Sequence, residues 1–164
     1  MIAIKTILLP TDGSECSGKA MAYALSFAKQ YGARIVALHV IDRRWEDQTR
    51  VTFAELGQDL TQKIRKGYEE EAGRILHEAA EVARKAGVPV ETRTLTGIPF
   101  EEIVRAGEEL SADLIIMGTH GRTGMSHLLL GSVAEKVVRK APCPVLTVRP
   151  EEHDVVLPQP SGGA

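Results

Sequence analysis

A chain of 164 residues, 43% apolar and 26% charged, carries enough nonpolar side chain to fill the core of one domain. Its formal net charge of −2 and lack of a basic tract speak against nucleic acid or an anionic membrane as the main partner. The apolar runs are only a few residues long, far short of the about 20 needed to cross a bilayer.

The opening Met1-Ile-Ala-Ile-Lys5 leads straight into a strand and lacks the layout of a signal peptide, so the expected location is the cytoplasm. Lys5-Thr-Ile-Leu-Leu9 is the first strand, ended by Pro10 and the turn cluster Pro10-Thr11-Asp12-Gly13-Ser14. A helix follows to about Tyr31, with Ala20, Met21, Ala24, Leu25 and Ala28 at helical spacing and Gly32 as its stop. Cys16, in its first turn, pairs with Cys143 in neither a metal-ligand spacing nor a disulfide framework, so both read as reduced thiols. Arg34 to Val40 is nearly all apolar and reads as a second strand, central in a sheet covered on both faces.

Asp42 to about Leu60 is charged and irregular, and holds Trp45, the sole tryptophan. It reads as a long mobile excursion. A long helix then runs from about Thr61 to Ala86, its apolar stripe drawn through Ile64, Tyr68, Ala72, Ile75, Ala79 and Val82 or Ala83, with Gly87 as its stop. Val88 to Leu95 alternates and reads as a third strand near an edge. Pro99 opens another helix, with Glu101 and Glu102 in its first turn. Asp113 to Met117 is a fourth, fully buried strand, and Val145 to Val148 a fifth, bracketed by Pro144 and Pro150. Residues 1–150 thus form one domain, and 151–164 a flexible C-terminal tail.

Strands separated by helices must be parallel with right-handed crossovers, which makes the fold α/β with a doubly wound open sheet of five strands. Ligands of such sheets bind beyond the carboxyl ends of the strands, where the winding reverses. The stretch at the end of the fourth strand fits that rule. Gly118-Thr-His-Gly121 and Gly131-Ser132 punctuate a loop that leads into Val133 to Lys140, a helix whose start reads as a Ser132-x-x-Glu135 capping box. Free N–H groups and the positive end of the helix dipole make such a loop an anion cradle, with His120 and Arg122 adding cationic character. The alternative is an ordinary glycine-rich connection. The loop is neither the common P-loop nor the dinucleotide fingerprint. Asp12, at the end of the first strand, faces the same crevice if the first and fourth strands are neighbours, or else caps the helix that follows it. His39 reads as a strand-end residue with a satisfied hydrogen bond.

The spacing Gly118-x-x-Gly121-x9-Gly131-Ser132, together with Pro10-Thr-Asp-Gly-Ser14, Leu38-His-Val-Ile-Asp42 and Ala141-Pro-Cys-Pro-Val-Leu146, resembles the universal stress protein family over residues 3 to 149. The resemblance implies a flavodoxin-like sheet, akin to the adenine nucleotide alpha hydrolases, with strand order 3-2-1-4-5. It further implies a homodimer along the fifth strand, Val145–Val148, and, the glycine motif being intact, membership of the ATP-binding branch. Carried onto this chain, Pro10, Thr11 and Asp12 would face the nucleotide, Asp12 toward the ribose or a phosphate-bound Mg²⁺. The backbone of Val40 would pair with the adenine edge. Gly118 would admit the ribose, and Gly121, Gly131, Ser132 and Val133 would hold the phosphates through N–H groups and the Ser132 hydroxyl, in the loop that also carries His120 and Arg122.

Hydroxyls, one carboxylate and no visible nucleophile–base pair point to a regulatory nucleotide, bound to change which unknown protein partner is recognised, rather than to rapid turnover. A slow ATPase and a nucleotide-free structural dimer remain the alternatives. A phospho-receiver is excluded, because the third strand ends Leu95-Thr-Gly97 with no aspartate to phosphorylate.

Overall fold

The computed structural model describes residues 2–45, 57–121 and 130–150. Strands and helices alternate as β1 (Thr6–Pro10), α1 (Glu15–Tyr31), β2 (Arg34–Asp42), α2 (Gly57–Lys85), β3 (Val90–Gly97), α3 (Pro99–Glu109), β4 (Leu114–Gly118), α4 (Ser132–Lys140) and β5 (Val145–Val148). All pairings are parallel and the order is β3-β2-β1-β4-β5, as the resemblance implies. The chain winds outward from β1 to β3, then returns to β1's other side and winds outward again to β5. The reversal therefore lies between β1 and β4, which pair Ile7 with Leu114 and Leu8 with Ile115.

Alternation along β1 assigns its side chains to two cores. Ile7 and Leu9 pack with Ala20, Ala24 and Ala28 of α1 and with Ala83 of α2. Leu8 turns the other way, to Ile103 and Ala106 of α3 and to Ala134 and Val137 of α4. Ile7, Leu8 and Leu9 are all 0% exposed. The expectation that β2 is covered on both faces holds, since Ile35 to Leu38 are buried. The central place nevertheless belongs to β1, with two strands on each side.

Gly32 and Gly87 end α1 and α2 in left-handed conformations, φ 67° and 72°, as their positions in the sequence suggested. Helix α2 departs from expectation at its start and in its stripe. It begins at Gly57, and its buried face runs through Ala72, Ile75, Leu76, Ala80 and Ala83. Tyr68 and Val82 are exposed at the margins of that face. Tyr68 instead stacks on Trp45, at 5.1 Å between ring centroids. Trp45 is buried in a small cluster with Ile41 and Ala72, so this end of the expected mobile excursion is docked. The rest of the excursion, 46–56, lies outside the described residues, as does the tail from 151.

The two sheet edges differ. β3, displaced two residues from its expected span, carries Glu91 between Arg34 (3.1 Å) and Arg93 (2.8 Å). The Arg93 hydrogen bond, with help from Arg34, holds the Glu91 carboxyl below the usual carboxylate range. β5 presents Val145, Leu146 and Thr147 half-buried and uncharged. Among the described residues no helix is long and apolar enough to cross a membrane.

Candidate functional site

The turn after β1 is held from below and from the side. Thr11 donates its backbone N–H to the Leu38 carbonyl (2.8 Å), and the Thr11 carbonyl faces His39 Nδ1 (2.8 Å). Asp12 Oδ1 accepts the Ser14 N–H at 3.0 Å, and Ser14 Oγ accepts the Ser17 N–H at 3.2 Å. The cap of α1 is therefore Ser14, and Asp12 stabilises the turn ahead of it rather than the helix. Gly13 has φ 75°, and a Cβ there would lie 3.0 Å from Ile75 Cγ1 of α2. The turn is wedged between β2, α1 and α2.

The turn after β4 is closed at its base. The Thr119 N–H donates to the Val148 carbonyl at the end of β5 (2.8 Å), and the Thr119 carbonyl accepts the Gly131 N–H (2.7 Å). A Cβ at Gly131 would sit 2.7 Å from that same carbonyl oxygen, so the contact requires glycine. Gly118 has a different reason. Its absent Cβ leaves room for Cys16 of α1, whose Sγ would otherwise stand 2.8 Å away. Cys16 is buried and donates its thiol to the Val148 carbonyl at 3.1 Å, consistent with a reduced, packed cysteine. Across the gap, Asp12 Oδ2 lies 2.8 Å from the position a Cβ would take on Gly121. The two turns meet there.

The start of α4 falls where expected, but its cap does not. Gly131, at φ −68° and ψ 157°, is the N-cap, and as a glycine it has no side chain to bond to the first turn. The Ser132–Glu135 capping box is not formed. Ser132 is already the first helical residue, one position too late to reach back, because the bond from Gly131 to Thr119 sets the register of the turn. Glu135 pairs with Arg139 at 3.1 Å instead. Among the described residues, no side-chain cap meets the positive end of this helix dipole.

These parts enclose a cavity of about 430 Å³, in the range of small-molecule sites. Pro10, Thr11, Asp12, Val40, Gly118, His120, Gly121, Gly131, Ser132 and Val133 all line it. Arg122 lies outside the described residues. Sequence reasoning missed the opposite wall, where Pro99 and Ile103 of α3 join Leu38 and Met117. Their signal was an apolar stripe on the helix after the third strand, which shows burial but not what is buried against it. Thr119, Ser17 and His39 also line the cavity. The Thr119 hydroxyl is 2.8 Å from His120 Nδ1. The crevice is apolar on its α3 side and rich in backbone donors on its α4 side, with Asp12 between them. Among the described residues no three His, Cys, Asp or Glu side chains gather as a metal site.

Comparison with known proteins agrees with this architecture. A profile of the Universal stress protein family matches residues 3–149. Universal stress protein MJ0531 of Methanocaldococcus jannaschii is 40% identical over 155 residues, which span 88% of this chain and 82% of that protein. The solved structure of MJ0577, from the same organism, superposes with a TM-score of 0.80 at 34% identity, over 90% of this chain and 97% of that one. A universal stress protein solved in complex with cAMP gives a TM-score of 0.65 at 27% identity, covering 91% of this chain and 99% of its own.

Proposed function

We propose that this chain, which belongs to the universal stress protein family, binds an adenine nucleotide, ATP with Mg²⁺, as a regulatory ligand in the crevice between the β1 and β4 turns. The single observation that carries the proposal is the first turn of α4, which starts on a glycine N-cap and lines the same cavity as Asp12 and an apolar pocket. The residues fit such a ligand. Backbone N–H groups of Ser132 and Val133 at a helix start suit phosphate oxygens. Leu38, Ile103 and Met117 offer apolar surface for a flat base, and the edge of Val40 offers it backbone hydrogen-bonding groups. Asp12 supplies acceptor oxygens for ribose hydroxyls or for a cation shared with the phosphates. The relative solved with cAMP supports an adenine ligand in this fold.

Backbone donors and apolar walls favour holding a nucleotide over turning it over. The nucleotide changes the protein's state through its different affinity for alternative arrangements of the crevice loops. In the same proposal the protein acts in the cytoplasm as a homodimer. Pairing of β5 with its two-fold copy would cover the uncharged edge at Val145 to Val148.

Heating the purified protein with and without millimolar Mg-ATP tests the reading. A ligand at about 100 times its Kd adds about 2.7 kcal/mol to stability, a clear rise in midpoint. Protein that carries no adenine nucleotide and shows no rise contradicts it. A monomer mass at tens of micromolar contradicts the dimer alone.

A further inference from the structure

We infer that His39 is a positioning residue for the nucleotide site, acting through the Thr11–Asp12 peptide; the inference rests on the nucleotide reading above. His39 Nδ1 lies 2.8 Å from the Thr11 carbonyl oxygen. That oxygen has no hydrogen to give, so Nδ1 must carry the proton and donate it. The carbonyl is thereby held toward the ring. In a planar trans peptide the C=O and the following N–H point in opposite directions. Holding the Thr11 carbonyl therefore also aims the Asp12 N–H, away from the imidazole.

The rest of the turn is tied at other points. Thr11 is fixed through its N–H to Leu38 O. Asp12 is fixed through Oδ1 to the Ser14 N–H. Gly13 is fixed by its packing on Ile75. The peptide that joins Thr11 to Asp12 is held, at its carbonyl, by the imidazole on the neighbouring strand. A tilt of that plane would swing the Asp12 carboxylate, whose Oδ2 now lies against Gly121 at the meeting point of the two turns. His39 itself also lines the cavity. It needs no contact with the reacting end of a ligand to matter there.

The test compares His39→Leu, which fills the space without a donor, with His39→Asn, whose side-chain N–H₂ can take the place of Nδ1–H. Two quantities are read on the full chain: the Asp12 amide resonance in ligand-free protein, and the Kd for Mg-ATP. The expected result is a displaced Asp12 resonance and a Kd raised about tenfold in His39→Leu, the scale of one lost hydrogen bond. His39→Asn returns the resonance and brings Kd to within about threefold of wild type. In an Asp12→Ala background, His39→Leu adds little further loss, because both changes act through one turn. An unmoved Asp12 resonance in His39→Leu, equal losses in the Leu and Asn variants, or fully multiplicative losses with Asp12→Ala would overturn the inference. Should His39→Leu fail to fold, His39→Asp against His39→Asn makes the same comparison, an acceptor facing the carbonyl in place of a donor. If wild-type protein binds no nucleotide, the functional reading fails, and the Asp12 resonance alone decides whether His39 sets the turn.

Discussion

Helices α1 and α4 both start at the carboxyl edge of the sheet, just beyond the adjacent strands β1 and β4, yet their first turns are finished differently. In α1 the end is closed: Ser14 Oγ takes the Ser17 N–H, and Ser17 Oγ returns to the Ser14 carbonyl at 2.8 Å. In α4 the N-cap is a glycine, and among the described residues no side-chain cap closes the first turn. A capped helix start contributes to folding. An uncapped one forgoes that contribution, and its donors stay available to something else. In the proposed function, the contrast gives phosphate binding to the start of α4, while the start of α1 is finished by its own side chains; both turns line one crevice.

The largest way to break this contrast is Gly131→Val. The new Cβ would meet the Thr119 carbonyl at 2.7 Å and displace the start of α4. Nucleotide affinity should fall by about 100-fold or more, the scale of losing two charge-assisted hydrogen bonds. Equilibrium binding of a fluorescent ATP analogue measures it. Asp12→Ala comes next, weakening Mg-ATP about tenfold. If the carboxylate shares a cation with the phosphates, the same variant should also lose the affinity difference between ATP with Mg²⁺ and ATP with a chelator, which the same titration reads.

The contrast is sharpened by a matched pair of stability measurements. Ser14→Ala should lower unfolding free energy by about 1 kcal/mol, the usual worth of an N-cap. Ser132→Ala should stay within about 0.5 kcal/mol in ligand-free protein, because its hydroxyl caps nothing. Urea melts of the two variants settle the order. The smallest effect lies at the amino ends of β1 and β4, away from the crevice, where Asp113 accepts the N–H groups of Lys5 (2.8 Å) and Thr6 (2.9 Å). Those bonds, Lys5's first, hold its carboxyl below the ordinary 3.8. A carboxyl depressed by folding stabilises the protein above its unfolded pKa, and that contribution is lost as pH falls through the folded value. Asp113→Asn should therefore flatten the acid side of the stability profile and leave nucleotide affinity unchanged.

Much of this was legible in the sequence because local rules agreed with the global ones. Helices between apolar runs require parallel strands, Gly32 and Gly87 mark helix ends, and Gly118, Gly121 and Gly131 converge on the crevice with Pro10 to Asp12. What stayed hidden depended on contacts between distant segments. Ser132 and Glu135 match a capping box locally, but the bond from Gly131 to Thr119 shifts the helix start and leaves that pattern unused. Gly118 lines the cavity, and its missing Cβ also makes room for Cys16, 102 residues earlier, a contact that spacing does not reveal. Tyr68 has the period of a core residue and instead stacks on Trp45. The α3 wall at Pro99 and Ile103 follows from how that helix packs, which periodicity alone does not specify.

The most direct test of the central claim follows backbone amide resonances while Mg-ATP is added to the ligand-free protein. The account predicts that the amides of Ser132 and Val133 shift most, while that of Ser17, already bonded to the Ser14 hydroxyl, moves little. Saturating Mg-ATP that leaves Ser132 and Val133 unmoved would contradict it.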